Sequence, residues 1–205
     1  MRLLVATQNA GKIREYAEIF AALPFEIVSV RDVGLEHLKV DEPFDTFEAN
    51  ADHKARTYAD ASGLLALADD SGLEVDVLNG RPGVYTARYA GDGATDRDRY
   101  MKLLGELAGV PDEQRTARFV CVISVAQAGK AEVKHVRGEC LGRIAQTPGD
   151  GGYGFGFDPV FIPDGFEVTF SQLPPEQKHS ISHRGRALAL IVPVLEAQSI
   201  DDMVL

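Results

Sequence analysis

The segment Leu65-Ala66-Leu67-Ala68-Asp69-Asp70-Ser71-Gly72-Leu73-Glu74-Val75 sets the fold class, because a short apolar run ends on two adjacent acids and at once meets turn-forming residues. An apolar run of this length, bounded by polar residues and glycine, reads as a buried strand. Ligands in open α/β sheets gather outside the carboxyl ends of such strands, so an α/β protein with its chemistry at Asp69 and Asp70 is expected. Side chains alternate along a strand, which points the two acids to opposite sides. Ser71 and Gly72 are expected to turn the chain away before a further strand over residues 73–78. An ordinary strand-end turn would use the same residues, since Asp, Ser and Gly are the commonest turn formers.

Upstream, Arg2 to Ala6 reads as a first strand, and Ile13, Tyr16, Ala17, Ile19 and Phe20 recur at helical spacing up to Pro24. The connecting loop, Thr7-Gln8-Asn9-Ala10-Gly11-Lys12, sets small and polar residues and a lysine at a helix N-terminus, where free N–H groups and the dipole favour an anion. It is not a Walker A loop, because Ala6 and Ile13 stand where that pattern needs Gly and Ser or Thr. The bland alternative is an N-cap by Asn9 beside an exposed Lys12. After a second strand from Phe25 to Val30, the acidic loop Val40-Asp41-Glu42-Pro43-Phe44-Asp45 leads into a helix from Thr46, its N-cap, to Ala61. On that helix Phe47, Asn50 and Lys54 share one stripe, where an amide and an ammonium call for partners. A surface pairing of Lys54 with Asp52 or Asp60 would satisfy the charge at little energy.

Downstream, residues 79–83 form a tight turn, residues 84–91 an aromatic connector, and Thr95 to Leu107 a helix. Arg88 in the connector suits either a phosphate or a structural ion pair. Val-rich runs from Thr116 to Ala126 and from Ala131 to Leu141 predict a long β-hairpin that serves as scaffold. The glycine-rich stretch Gly149-Asp150-Gly151-Gly152-Tyr153-Gly154-Phe155-Gly156-Phe157-Asp158-Pro159 alternates small and aromatic residues, which lets backbone and rings approach a flat ligand. Finally, residues 178–188 carry Lys178, His183, Arg184 and Arg186 into a last helix with Ser182 as its N-cap.

With 205 residues, the chain suits a single domain, residues 1–205, built of two lobes. A net charge of −10 argues against a nucleic-acid polymer, which needs a positive face to displace counterions. No apolar run is long enough for a membrane helix, so no membrane partner is expected. The apolar run from Met1 to Ala6 is too short for a secretory signal, which predicts a cytoplasmic protein. Cys121 and Cys140 lack close-spaced partners and read as buried thiols.

Four segments together resemble one family in order and spacing: Thr7-Gln8-Asn9-Ala10-Gly11-Lys12, Asp69-Asp70-Ser71-Gly72-Leu73, Gly154-Phe155-Gly156-Phe157-Asp158-Pro159 and Ser182-His183-Arg184-Gly185. The chain is similar to the noncanonical purine nucleoside triphosphate pyrophosphatases, the inosine/xanthosine triphosphatase family, from its first strand to its last helix. The resemblance implies a long mixed β-sheet splitting into two α/β lobes, a nucleotide in the central cleft and a homodimer, for which the connector residues Tyr85 and Tyr89 are expected to be surplus to a single core. It implies cleavage of the α–β phosphate bond of inosine, xanthosine or deoxyinosine triphosphate, with Mg2+, to the monophosphate and pyrophosphate. Carried over by motif, the loop from Thr7 to Lys12 holds the triphosphate through Asn9 and Lys12, and Lys54 adds a second cation. Glu42 and Asp70 serve the metal, Asp70 is also the general base, and Asp69 is its neighbour in the catalytic strand end. Ser71, Gly156 and Phe157 line the substrate, Phe155 stacks on the purine, and Asp158, Lys178, His183 and Arg184 read its edge.

These roles are chemically consistent. Magnesium prefers carboxylates plus phosphate oxygens, and a purine with a 6-carbonyl accepts hydrogen bonds from cations that would face the amino donor of adenine. Gln8 and Ala49 depart from the family pattern, in which Gly and Glu are common at those positions. Two other readings use the same residues: a pyrophosphatase for modified pyrimidine nucleotides, separated by its base pocket, and a noncatalytic nucleotide sensor. Retention of Glu42, Asp69 and Asp70 argues against the sensor.

Overall fold

A computed structural model of the protein describes residues 1–7, 12–13, 16 and 20–201; Gln8, Asn9, Ala10 and Gly11 of the expected phosphate loop lie outside the described residues. Strands β1 (Arg2–Val5), β2 (Glu26–Ser29), β3 (Leu65–Val75), β4 (Thr116–Gln127), β5 (Val133–Ile144) and β6 (Phe161–Pro163) form one six-stranded sheet in the order β2-β1-β3-β4-β5-β6. β1 runs parallel to β2 and β3 while β6 runs antiparallel to β5, so the sheet is mixed and the fold is α/β, as expected. The helices are α1 (Phe47–Ser62), α2 (Asp96–Glu106), α3 (Pro175–Ile181) and α4 (His183–Asp201), and Lys12, Ile13 and Tyr16 are also helical. Among the described residues, no helix is long and apolar enough to cross a membrane.

Two compact units share the chain. The first comprises Met1–Asp70, Cys121–Gly138 and Ala187–Leu205, and the second Ser71–Val120 and Glu139–Arg186. In the first unit, β3 buries both faces. Leu65 and Leu67 pack with Leu3, Val5, Tyr16, Phe20, Ile191 and Leu195, whereas Ala66 and Ala68, pointing the other way, pack with Leu4, Val28, Ala55, Tyr58 and Ala59. The start and stop of α1 are set locally: the Thr46 hydroxyl accepts the Ala49 N–H at 3.2 Å, and Gly63, at φ 72°, closes the C-terminus with its N–H on the Ala59 carbonyl.

The second unit is built on Leu73, Val75, Leu103, Leu107, Phe119, Phe157, Phe161 and Phe170. Arg115 lies fully inside it, 1% exposed, with its guanidinium donating to the carbonyls of Leu107, Ile144 and Ala145 at 2.7–2.9 Å. One side chain thereby donates to the end of α2, where the Leu107 carbonyl also accepts the Val110 N–H, and to the end of β5. Burial pulls the guanidinium's pKa down, against the opposing pull of Asp112.

Three expectations need correction. β3 does not turn at Ser71 and Gly72 but runs unbroken to Val75, because Leu73 and Val75 are both fully buried and resume the alternation of Leu65 and Leu67. The strand expected over residues 73–78 therefore ends at Val75, and a 3-10 turn at Asp76–Leu78 and Asn79, at φ 54°, reverse the chain. Tyr89, expected to be surplus to the core, packs against the second unit's core and donates to Glu106 Oε2 at 2.7 Å, while Tyr85 stays exposed. The hairpin, the Thr46 cap and the buried thiols match the reading from sequence.

Candidate active site

In the first unit the acids sit where β3 leaves its apolar run, and both are almost fully buried. Because β3 is an uninterrupted strand, Asp69 shares the face of Leu67 and Asp70 that of Ala68. Lys12, one turn from the buried Tyr16, donates from Nζ to Asp69 Oδ2 at 2.6 Å. From the side that α1 covers, Lys54 Nζ donates to the Asp69 carbonyl at 3.0 Å and to Glu42 Oε1. Two lysines thus meet one strand segment. Burial pulls the Lys54 ammonium's pKa down, but the carboxylates of Glu42, Asp69 and Asp70 outweigh that penalty and hold it above the ordinary lysine value.

Glu42 reaches this cluster from the acidic loop, and the polar member of the α1 stripe explains how. The Asn50 amide, buried, accepts the Phe44 N–H at 3.0 Å and donates to the Phe44 carbonyl at 3.1 Å, clasping the loop two residues beyond Glu42 onto α1. Asn50 thereby finds a backbone partner, and Lys54 pairs with Glu42 in place of Asp52 or Asp60. Asp52 instead accepts from the buried Ser124 hydroxyl at 2.6 Å and contacts His135 at 3.1 Å. Thr7 is placed just past β1, where its N–H donates to the Val5 carbonyl.

In the second unit the other motif residues gather around Phe155. Its ring is 55% exposed, with Lys178 Nζ 5.4 Å and the Arg184 guanidinium 5.9 Å from its centroid. Asp158, buried, accepts the Phe155 N–H at 2.7 Å and the Lys178 ammonium at 2.5 Å. His183 stacks on Phe119, centroids 4.7 Å apart and planes 13° from parallel, and Arg184 follows it at the start of α4. The Ser182 hydroxyl accepts the Gly185 N–H at 3.1 Å, which is the N-cap role expected of it. Phe157 lies in the apolar core against Tyr89, so only its backbone is left to meet a ligand. Ser71 lies on β3 next to Asp70 and is half-buried.

Sequence reasoning missed Phe119 as the surface beneath His183, and Asp96, whose Oδ2 accepts the Gly156 N–H at 2.7 Å across sixty residues of sequence. Neither carries a local signal: Phe119 reads as one more strand residue and Asp96 as an acid at a helix start. A cavity of ≈ 320 Å³ in the same unit, lined among others by Arg143, Gln146, Thr169 and Gln172, contains none of the motif residues. Several of its polar groups are already bonded to one another, such as Arg143 with Glu167, so the chemistry points to the motif clusters instead.

The sequence profile of the Ham1 family matches residues 3–194. The chain belongs to the Ham1 family. A dITP/XTP pyrophosphatase from Geobacter sulfurreducens is 48% identical over 200 residues, covering 98% of this chain and 99% of its own length. The solved structure of a Ham1 protein from Coxiella burnetii is 38% identical with a TM-score of 0.89, covering 95% of this chain and 98% of that one. A second, the nucleoside-triphosphatase or dITP/XTP pyrophosphatase from Mycobacterium abscessus, is 42% identical with a TM-score of 0.80, covering 94% of this chain and all of that one. Ham1 membership thus extends over both units and every element that carries a motif residue.

Among the described residues, no three His, Cys, Asp or Glu side chains converge as a ready-made metal cage. Magnesium does not need one, since it usually takes one or two protein carboxylates and completes its shell with water and substrate phosphates. The oxygen-only donors Glu42 and Asp70, both close enough to Lys54 to act on its charge, suit that habit.

Proposed function

We propose that this chain hydrolyses noncanonical purine nucleoside triphosphates, namely inosine, xanthosine and deoxyinosine triphosphate, to the monophosphate and pyrophosphate, and so cleanses the nucleotide pool. The observation that carries the reading is the group of Lys12, Lys54, Glu42, Asp69 and Asp70 around one strand segment. Each lysine is neutralised there by a carboxylate. A polyphosphate offers the lysines new anionic partners, and the carboxylates set free are hard-oxygen donors for the cation that accompanies it. The two relatives named dITP/XTP pyrophosphatase support deoxyinosine and xanthosine triphosphate among these substrates.

In this reading the loop from Thr7 to Lys12 and Lys54 hold the triphosphate, and Glu42 and Asp70 hold Mg2+. Bound there, the ion would polarise the phosphoryl oxygens and lower the pKa of a coordinated water. Asp70 accepts the proton as water adds to phosphorus, the α–β bond breaks, and the lysines offset the charge gathering on the departing pyrophosphate. Asp69 fixes Lys12. Phe155 stacks on the purine, while Lys178, His183 and Arg184, with Asp158 holding Lys178, present donors to a 6-carbonyl; Ser71, Gly156 and Phe157 complete the lining. Adenine, with a donor at that position, would leave those groups unmet.

A homodimer acting in the cytoplasm completes the proposal; the exposed ring of Tyr85 is apolar surface that a second copy could cover. The test is product analysis. Inosine triphosphate with magnesium should give inosine monophosphate and pyrophosphate in equal amounts, and excess chelator should stop the reaction. Orthophosphate as the first product, or undiminished turnover in chelator, would refute the reading.

A further inference from the structure

We propose that Asp96, the first residue of α2, is a positioning residue that aims the Phe155 ring at the purine; this rests on the substrate reading above. Phe155 projects from a loop with glycine on both sides, Gly154 at φ 80° and Gly156 at φ 62°. Such a loop has little intrinsic stiffness, and a ring more than half exposed has little packing to hold it. Two carboxylates supply what packing does not. The Phe155 N–H donates to Asp158 Oδ2 and the Gly156 N–H to Asp96 Oδ2, both at 2.7 Å. These N–H groups belong to the two rigid peptide planes that flank the Phe155 Cα. Holding both planes fixes φ and ψ of Phe155, and with them the direction of its Cα–Cβ bond.

Asp158 is braced by Lys178, and a Cβ added at Gly154 would stand 2.0 Å from Asp158 Oδ2, so the loop is moulded onto that acid. Asp96 is not needed to cap its own helix, because Thr95 and Asp98 form a complete capping box there. Its second oxygen accepts from Arg99 at 2.6 Å, one turn along α2. Asp96 is thus oriented from a regular helix and spends its remaining oxygen on the glycine that follows the stacking ring. A stacking partner held in place loses less freedom when a base arrives, and binding is tighter for it.

The test compares the wild type with Asp96→Ala, Asp96→Asn, Phe155→Ala and the Asp96→Ala/Phe155→Ala double variant. The measurements are KM and kcat for inosine triphosphate, inhibition by pyrophosphate, which has no base, and hydrogen exchange at the Gly156 amide. Asp96→Ala should raise KM on the order of tenfold, the loss expected for one hydrogen bond to a charged acceptor, with kcat and pyrophosphate inhibition unchanged. Asp96→Asn keeps an oxygen that accepts the Gly156 N–H and should recover most of the loss. Asp96→Ala should add nothing once Phe155 is Ala, and it should speed exchange at Gly156. Independent KM losses in the double variant, or pyrophosphate inhibition that weakens along with KM, would overturn the proposal in favour of a general loss of structure. A wild type that releases no pyrophosphate from inosine triphosphate fails the substrate reading instead. The exchange comparison then still judges whether Asp96 holds the loop, and unchanged exchange in Asp96→Ala rejects it.

Discussion

Replacing Lys54 with Met keeps most of the aliphatic stem and deletes the ammonium. In the wild type that group donates to the Glu42 carboxylate and the Asp69 carbonyl. In the variant Asp69, Asp70 and Glu42 keep their negative charges near one another, with Lys12 on Asp69 as the remaining cation in the described cluster. Breaking a fully buried pair from one side costs about 3–5 kcal/mol. Glu42 is 35% exposed and can turn to water, so the cost here should fall to about 1–3 kcal/mol, most of it from the crowded aspartates. At about 2–4 °C per kcal/mol for a chain of this size, the loss is visible in thermal unfolding. The pH dependence identifies the cause. The folded-state pKa of Lys54 lies above its ordinary value of 10.5, so its contribution is complete below that pH and disappears as pH rises through the folded value. The gap in melting temperature between wild type and variant should stay flat from about pH 6 to 9 and close in stronger alkali. Activity on inosine triphosphate should fall about 100-fold or more, as for loss of one well-placed donor to a developing charge. A variant as stable and as active as the wild type would show Lys54 to be an ordinary solvated lysine.

Other outcomes follow from the same contacts. Arg115→Ala removes the guanidinium from three backbone carbonyls, of which that of Leu107 keeps the Val110 N–H, and should lose roughly 2 kcal/mol or more in urea unfolding; Arg115→Lys should not rescue it, since an ammonium cannot span the guanidinium's three acceptors. A shift under about 1 kcal/mol would show that water replaces the guanidinium easily. Burial pushes the Cys140 thiol up to about 11, so iodoacetamide at neutral pH should leave it unmodified until the protein is unfolded. Rapid alkylation of the native protein would contradict this. Asp70→Asn should cut turnover at least ~100-fold with the fold intact, whereas Asp69→Asn, which frees Lys12, should cost stability more than chemistry. Equal loss of turnover in both would mean that the two acids share one task.

What could be read in the sequence depends on how local the cause is. β1, α1 with its Thr46 cap, and the β4–β5 hairpin follow from spacing, capping chemistry and strand alternation within a few residues of each element. So does the opposed orientation of Asp69 and Asp70. The turn expected at Ser71 and Gly72 is absent for a nonlocal reason: turn-forming residues were outweighed by burial of Leu73 and Val75 in a core whose other members arrive from distant segments. The partner of Lys54 was hidden for the same reason, because Glu42 reaches it only through a loop held by Asn50, and the nearer acids Asp52 and Asp60 compete for attention in the sequence. Around Phe155 the motif residues were legible as a set, yet their braces were not. Asp96 and Phe119 are each distant in sequence from the residues they hold.

Discrimination at the purine 6-position is read from kcat/KM for pyrophosphate release from inosine triphosphate and from adenosine triphosphate under identical magnesium. The two substrates differ only along one purine edge, at the 6-substituent and in the proton on N1, so the ratio reports on the groups around Phe155 that face that edge. A preference for inosine triphosphate of at least roughly 100-fold is expected, because adenine would turn a donor toward donors and leave them desolvated and unmet. Equal efficiencies on the two nucleotides would contradict it.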